Sequence, residues 1–198
     1  VHTSAKLVTQ KPDTASHVEF FGEQHYLHLH DGPRQARAAF WLRGKVRRRW
    51  RKILCGLGYE HSHYSRLDEN WRRAWTQQLR ALDRRFDAVV VEYAFNSRAL
   101  DAFPASTRKL LDTHDAFADR HRPFVARGFR KGYWVSLKPR DENLGLRRAD
   151  AAIAIQAQEA EHFRQQLTLD GPVERNPEIA VVSHFIGLEQ PVPDHSVD

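Results

Sequence analysis

Three stretches of the chain share one pattern, a short apolar run between polar residues. They are residues 87–93, 108–115 and 150–156. Runs of this length predict strands that are buried on both faces of a sheet. Helix-like segments separate them, and this alternation is typical of a parallel sheet. The fold class that we expect is therefore α/β, with a Rossmann-like, mostly parallel sheet and helices on both of its faces.

The polar residues that end these runs are the first candidates for a functional site. In open parallel sheets, ligands bind outside the carboxyl ends of the strands. Glu92, His114, Asp115 and Gln156 all fall at that edge of the predicted sheet. We therefore expect these four side chains to line a site.

Helical spacing of apolar residues predicts further elements around the strands. The longer helices are expected at residues 34–57, 67–85 and 157–167. A shorter helix is expected at residues 96–103, and a further strand at 179–184. Residues 116–122 are expected to begin a loop or helix that Pro123 stops, because proline lacks a backbone donor.

The amino-terminal residues 1–33 alternate in polarity and predict two or three short strands. Four histidines lie there: His17, His25, His28 and His30. His28 and His30 would share one strand face, which is compatible with metal binding. No cysteine and no suitable carboxylate accompany them, so we expect solvated histidines and no metal.

Charge and composition indicate the cellular compartment in which the protein works. Residues 34–52 contain nine basic and no acidic residues, whereas the rest of the chain has 22 basic and 25 acidic residues. A single cysteine, Cys55, excludes an intrachain disulfide and fits a reducing compartment. No apolar run approaches the roughly 20 residues that span a bilayer, and no signal peptide is recognisable. We expect a cytoplasmic protein. The sequence lacks methionine even at position 1, which indicates a processed, trimmed or partial chain.

The basic segment allows three interpretations. Its helix could be solvated, with the apolar side packed on the domain. It could bind an anionic membrane surface, since Trp41 and Trp50 beside Arg47, Arg48 and Arg49 suit a lipid headgroup layer. It could also bind nucleic acid, for which a basic stripe is the usual electrostatic signature.

The motif at residues 111–120, Leu-Asp-Thr-His-Asp-Ala-Phe-Ala-Asp-Arg, follows Val-Val-Glu-Tyr at 90–93. It precedes Arg-Ala-Asp at 148–150 and Ala-Ile-Gln at 154–156. In this order the motifs resemble the amino-terminal domain of bacterial glycosyltransferases of family four. Members of that family have the two-domain GT-B fold and use nucleotide sugars to build polysaccharides and glycolipids. The resemblance covers roughly residues 86–185.

The resemblance implies one acceptor-side domain over residues 1–190, with a basic helical insertion around 34–58 and a linker at 191–198. It assigns the cleft-facing position to His114, with Asp115 and Glu92 as the other catalytic candidates. Its substrate-binding candidates are Gln156, Arg120 and Glu159. The donor would be a nucleotide sugar, with no further cofactor and no metal. The acceptor would be a polysaccharide or a lipid-linked sugar at the inner face of the plasma membrane.

The chain also departs from that family. We find no glycine-rich loop after a first strand, and no second domain with its pair of glutamates. We therefore expect an isolated amino-terminal domain or half of a split enzyme, inactive alone, with the donor held by a carboxy-terminal domain outside the chain.

Other interpretations stay open from the sequence. His114 and Asp115 could simply cap a helix, Glu92 could be a general base or a buried hydrogen-bonding group, and Gln156 could be a cap or a lining residue. The whole chain could be a non-catalytic α/β module whose basic helix binds nucleic acid, although nucleic acid is the less favoured partner.

Nucleophilic catalysis is disfavoured by the sequence. Cys55 has no evident partner beyond His61 and His63, and the chain contains no Gly-x-Ser-x-Gly elbow. It also contains no phosphate-binding P-loop and no Gly-x-Gly-x-x-Gly fingerprint.

Overall fold

The computed structural model describes residues 29, 31–82, 85–171 and 175–183. The strands predicted for residues 1–33 and the histidines His17, His25, His28 and His30 lie outside the described residues, as does the tail at 191–198.

The described residues form a four-stranded, all-parallel sheet. Its strands are β1 (Ala88–Glu92), β2 (Arg108–Asp112), β3 (Ala151–Ala154) and β4 (Glu178–Val181). Neighbours in the sheet are also neighbours in the chain, in the order β1-β2-β3-β4. All four predicted strands are confirmed, and so is the Rossmann-like α/β class.

Helices surround this sheet. The α-helices are α1 (Arg34–Gly56), α2 (Arg73–Arg80), α3 (Arg122–Ala126), α4 (Pro139–Leu146) and α5 (Ala157–Leu169). Two 3₁₀-helices, Glu60–His63 and Ala94–Ala102, complete the elements of the described residues. The helices predicted at residues 34–57 and 157–167 are confirmed, and the one at 96–103 is confirmed as the second 3₁₀-helix.

The core lies between the sheet, α5 and the second 3₁₀-helix. Its fully buried side chains include Leu100, Leu111, Leu146, Ala152 and Phe163. Burial of this apolar area is the main driving force for folding. The packing of these side chains holds the strands in register, so that their carboxyl ends lie at one edge of the sheet.

The prediction that each strand is buried on both faces is wrong for β1. Val91 faces the core, but 56% of Val90 is exposed. The described residues leave the face of β1 that carries Val90 largely uncovered. β3 fits the prediction, because Ala151, Ala152 and Ala154 are all buried.

Two other element predictions are corrected. The helix predicted at residues 67–85 is confined to α2, because the preceding residues form turns in which Asp68 binds Arg148 and Arg98. Pro123 opens α3 rather than stopping a helix. Proline is favoured in a first helical turn, where its missing N–H would have no intrahelical partner.

Candidate active site at the carboxyl edge of the sheet

The ends of β1 and β2 lie level at one edge of the sheet. The Tyr93 N–H donates to the Asp112 carbonyl at 2.7 Å, and the Thr113 N–H donates to the Ile153 carbonyl at 3.0 Å. These two bonds continue the parallel ladder past the last strand residues. They place Tyr93 and His114 side by side, with ring centroids 4.6 Å apart and planes 28° from parallel.

Both residues have a left-handed backbone. Tyr93 has φ of 66° and His114 has φ of 56°, and Asp119 (55°) and Trp134 (57°) are similar. Such conformations are uncommon for residues other than glycine and cost about 1–3 kcal/mol each. Strain of this kind concentrates at functional sites, which makes this edge the strongest candidate site in the described part of the chain.

Carboxylates surround His114. Its backbone N–H donates to Asp112 Oδ1 at 3.4 Å, and its Nε2 lies 3.7 Å from Asp112 Oδ2. Asp115, the next residue, forms an ion pair with Arg120. The predicted candidates His114, Asp115 and Arg120 therefore occupy one loop.

Glu159 joins this group from α5. Its carboxylate accepts the Ile155 N–H at 2.9 Å, and the residue is buried. Burial raises the pKa of Glu159, the charges of Asp115 and Asp112 raise it further, and His114 lowers it. The predicted residues Glu159, His114 and Asp115 thus act on one another electrostatically.

Two other candidates lie at the same edge but face solvent. Glu92 ends β1 and is exposed, so the alternative of a buried hydrogen-bonding group is wrong. Gln156 immediately precedes α5, is exposed, and forms no side-chain capping bond. Gln156 is thus the N-cap residue of α5, as one of its two interpretations had it, although its side chain makes no capping bond.

A helix cap at His114 and Asp115 is also excluded. A loop follows β2, and the next helix begins only at Arg122. No helix N-terminus therefore lies in the loop beside His114. Two N–H groups of this loop, those of Phe117 and Ala118, already donate to Glu142 of α4, at 2.6 and 3.2 Å.

Sequence analysis missed Glu142. This residue of α4 is 1% exposed, and it also accepts a hydrogen bond from Gln166 Nε2 at 3.1 Å. Burial raises its pKa to about 7, although the bonds from Phe117, Gln166 and Ala118 oppose the shift. The available signal was Pro139 followed by acidic residues, which is typical of a first helical turn.

Sequence analysis also missed an aromatic cluster beneath the site. It consists of Tyr93, Phe95, Phe117 and Trp134. Tyr93 and Phe95 stack nearly parallel, with centroids 5.1 Å apart, and Trp134 lies perpendicular to both. Phe117 is fully buried, whereas 55% of Trp134 is exposed.

Cys55 belongs to a separate polar cluster. Its Sγ lies 3.5 Å from His63 Nδ1, which is also 2.8 Å from the Tyr133 hydroxyl. The His63 ring stacks on His121 with centroids 4.8 Å apart and planes within 4° of parallel. Burial lowers the pKa of both histidines, so both are neutral at pH 7. Of the two partners named for Cys55, the structure brings His63 into contact.

The basic helix α1 is attached to the domain through its arginines. Arg47 Nε and Arg51 Nη1 each lie 3.4 Å from the Glu69 carboxylate. Arg51 also donates to the carbonyls of Ser62 and His63. Arg47, expected at a membrane surface, instead faces the body of the domain.

The opposite side of α1 is apolar and exposed. Its members recur at helical spacing: Leu42, Val46, Trp50 and Ile53. The proposed surface residue Trp50 is 58% exposed, and Trp41 lies nearby beneath the Lys45 ammonium group, 3.8 Å from its ring centroid. Arg48 and Arg49 are exposed on the same helix. The interpretation that the apolar side packs on the domain is therefore wrong for the described residues.

Comparison with models of known protein families, with curated proteins and with solved structures found no significant match to the chain. Among the described residues, no three histidine, cysteine or acidic side chains are grouped to hold a metal ion. None of the described helices combines the length and the apolarity needed to cross a bilayer.

Proposed function

We propose that this chain is the acceptor-side domain of a retaining GT-B glycosyltransferase that acts on a lipid-linked or polysaccharide acceptor. The observation that carries the proposal is the position of His114. It ends a central parallel strand, stacks on Tyr93 and lies among Asp112, Asp115 and Glu159. The motifs that resemble family-four glycosyltransferases contain all of these residues except Glu159.

Sugar transfer requires an oriented acceptor hydroxyl and stabilisation of the charge that develops on the leaving phosphate. The His114 ring can hydrogen-bond a sugar hydroxyl or a phosphate oxygen. Asp115 and Glu92 are the further catalytic candidates in this proposal. Arg120 and Glu159 would help to bind the substrate.

Gln156 would line the same cleft. The nucleotide sugar would be held by a further domain outside these 198 residues. No other cofactor takes part in the proposed reaction. The 198 residues alone are expected to leave UDP- and GDP-sugars unconsumed, and robust turnover by them would contradict this division of labour.

The arrangement of α1 supports a membrane location for this reaction. Trp50 and its apolar neighbours face outward, while Arg47 and Arg51 hold the helix to Glu69. An outward apolar stripe beside Lys45 and other cations suits a helix that lies in the headgroup layer of an anionic membrane. The protein would then work on the inner face of the plasma membrane.

The alternative function is a non-catalytic α/β module whose basic helix binds nucleic acid. Binding to vesicles of phosphatidylglycerol and phosphatidylcholine, compared with binding to a DNA duplex over a salt titration, distinguishes the two. We expect binding to vesicles that falls when Trp50 is replaced by Gln. Salt-sensitive DNA binding that is unaffected by Trp50→Gln would favour the alternative, because phosphate contacts need no apolar insertion.

The transfer activity is tested in cells that make the protein. Their membranes, supplied with radiolabelled nucleotide sugars, should incorporate label into lipid or polysaccharide. We expect deletion of the gene to abolish part of this incorporation. Identical products with and without the gene would contradict the proposed function.

A further inference from the structure

Trp134 is a large aromatic side chain that the fold leaves half uncovered beside the site. Its ring contacts Tyr93, Phe95 and Phe117 with centroid distances of 5.6, 5.5 and 5.9 Å. All three contacts are edge-to-face, with interplanar angles of 86°, 87° and 71°. The ring is therefore held in a fixed orientation, although 55% of the residue remains exposed.

Burying an aromatic side chain is favourable by about 25 cal/mol for each Å² of apolar surface. The neighbouring Phe117 is fully buried, so the cluster has an interior available to aromatic rings. Trp134 is held at its rim by a left-handed backbone, with φ of 57°. Leaving this ring exposed to solvent therefore lowers the stability of the folded chain. A ring that is already held in place loses little conformational entropy when a ligand binds.

Polar groups lie against the same Tyr93 ring. His114 stacks on Tyr93 at 4.6 Å, and Asp112 lies against His114. Trp134 and His114 therefore flank a single residue. The site therefore combines an aromatic surface with hydrogen-bonding groups around one tyrosine ring.

One class of ligand needs both features. A pyranose ring has a face of C–H bonds, which carry partial positive charge, and a rim of hydroxyl groups. The π-face of an indole carries partial negative charge and attracts such C–H bonds. Imidazole and carboxylate groups, such as those of His114 and Asp112, bind hydroxyls.

We propose that Trp134, Tyr93 and His114 form a carbohydrate subsite, in which a pyranose ring stacks on Trp134 and one of its hydroxyls reaches His114. The identification of this sugar as the acceptor rests on the proposed function. The binding of a sugar does not, and it is measured without any transfer.

The chain contains five tryptophans, whose indole N–H groups give separate signals in a ¹⁵N-labelled sample. Trp134→Phe identifies the signal of Trp134. The probes are methyl α-D-mannopyranoside, methyl β-D-glucopyranoside and maltose, raised to about 0.1 M to detect millimolar affinity. Glycerol serves as a hydroxylated control without a ring.

We expect at least one probe to shift the Trp134 indole signal and the His114 ring signals with one saturation curve, while glycerol shifts neither. The Trp71 indole, which donates to Thr76 Oγ1 at 2.8 Å, should remain unchanged. Absence of any saturable shift at Trp134 would overturn the proposal. A shift at Trp134 with His114 unaffected would overturn the shared subsite.

Substitution separates stacking from nonspecific effects. Trp134→Ala should weaken glycoside binding at least tenfold, and Trp134→Tyr, which keeps an aromatic face, should retain most of it. Phe129→Ala, at a comparably exposed aromatic residue to which no binding role is assigned, is the matched control and should bind as the wild type does. Equal affinity of Trp134→Ala and wild type, measured by the His114 shifts, would overturn the proposal.

The results also distinguish this subsite from the transferase. Saturable sugar binding together with unchanged cellular sugar transfer after gene deletion would leave the subsite standing and remove the proposed function. Loss of transfer on gene deletion together with no binding by any probe would remove the subsite alone.

Discussion

The Glu142 carboxylate accepts the backbone N–H of Phe117 at 2.6 Å, across 25 residues of sequence. This contact ties the loop that follows β2 to helix α4. The same carboxylate accepts the Ala118 N–H at 3.2 Å. The buried Glu142 side chain therefore holds the loop that bears His114. We treat Glu142 as a positioning residue for the site.

Replacing Glu142 by Ala should destabilise the protein by about 2–4 kcal/mol, because a buried and a partly buried N–H group lose their acceptor and a cavity remains. Urea unfolding at pH 7 measures the change. Glu161→Ala, at an exposed position of α5, is the control and should cost well under 1 kcal/mol. A Glu142→Ala protein as stable as the control would show that the contact does not hold the loop.

Glu142 should also make stability depend on pH. Its pKa is about 7 in the folded protein and 4.5 when unfolded, so the folded state binds the proton more tightly. Its contribution, at most about 3 kcal/mol, is fully present below pH 4.5 and is lost as the pH rises through 7. The difference in unfolding free energy between wild type and Glu142→Gln, followed from pH 4.5 to 8, should show this decline. A difference that is constant with pH would refute it.

The stacked pair His63 and His121 should give stability the opposite pH dependence to that of Glu142. Burial lowers both pKa values, and cations add to this effect, Arg130 and Arg51 at His63 and Arg122 at His121. The histidine pair couples across the stack, and Glu60 and Asp119 oppose the shifts without reversing them.

Stability from this pair is therefore present above the unfolded pKa of 6.5 and is lost as the pH falls through the lower folded values. His121→Gln should lose less stability than wild type between pH 6.5 and 5, whereas His162→Gln, on the exposed side of α5, should follow wild type. Identical acid profiles for His121→Gln and wild type would contradict the assignment.

Close packing at Gly145 gives a further test. A Cβ on this residue of α4 would lie 3.1 Å from the Ala94 carbonyl oxygen and 3.2 Å from Leu67 Cδ1. The carbonyl belongs to the backbone and cannot move aside, so Gly145→Ala should cost about 1–3 kcal/mol. Gly56→Ala, in α1 with nothing within 4 Å, should be neutral or slightly stabilising. Thermal unfolding of both variants compares them, and equal melting temperatures would be incompatible with this packing.

The ion pair of Asp68 and Arg148 joins the turn before α2 to the segment after α4. Both Arg148 Nη atoms lie 2.7 Å from the Asp68 carboxylate. Burial alone would raise the pKa of Asp68, but the bonds from Arg148 and Arg98 hold it below its usual value. Arg148→Ala should therefore cost about 2–4 kcal/mol, since a partly buried carboxylate loses its main partner.

Arg98→Ala is the matched control for this pair, because Arg98 binds the same carboxylate from a side chain that is 48% exposed. It should cost under about 1 kcal/mol. Chemical denaturation of the two variants tests the difference. A larger loss for Arg98→Ala than for Arg148→Ala would reverse this ranking.

The sheet was predictable because its signal is local. The apolar runs that became β2 and β3 are bounded by polar residues, and the residues that end them fall at the carboxyl edge of any parallel sheet. The sequence motif therefore located His114 and Asp115 correctly at that edge. The burial of β1 was not predictable, since exposure of Val90 depends on whether another element covers that face of the sheet.

The residues that support the site depended on tertiary contacts that no local pattern encodes. Glu142 lies in a charged segment typical of a solvated surface, yet the fold turns it inward against Phe117. Trp134 contacts Tyr93, but it lies in an irregular segment whose sequence has no periodic pattern to predict that contact. For α1, the spacing predicted an amphipathic helix correctly, but which face packs is decided by Glu69, to which Arg47 and Arg51 bind.

Sugar transfer by a His114→Ala protein tests the central claim most directly. In cells whose only gene copy carries this substitution, the part of the membrane incorporation that depends on the gene should fall by about a hundredfold or more. This is the range for loss of a group that acts on the reacting atoms. His162→Ala, at an exposed histidine of α5, should retain the wild-type rate. Incorporation by the His114→Ala cells equal to that of the control, at equal protein level, would contradict the account.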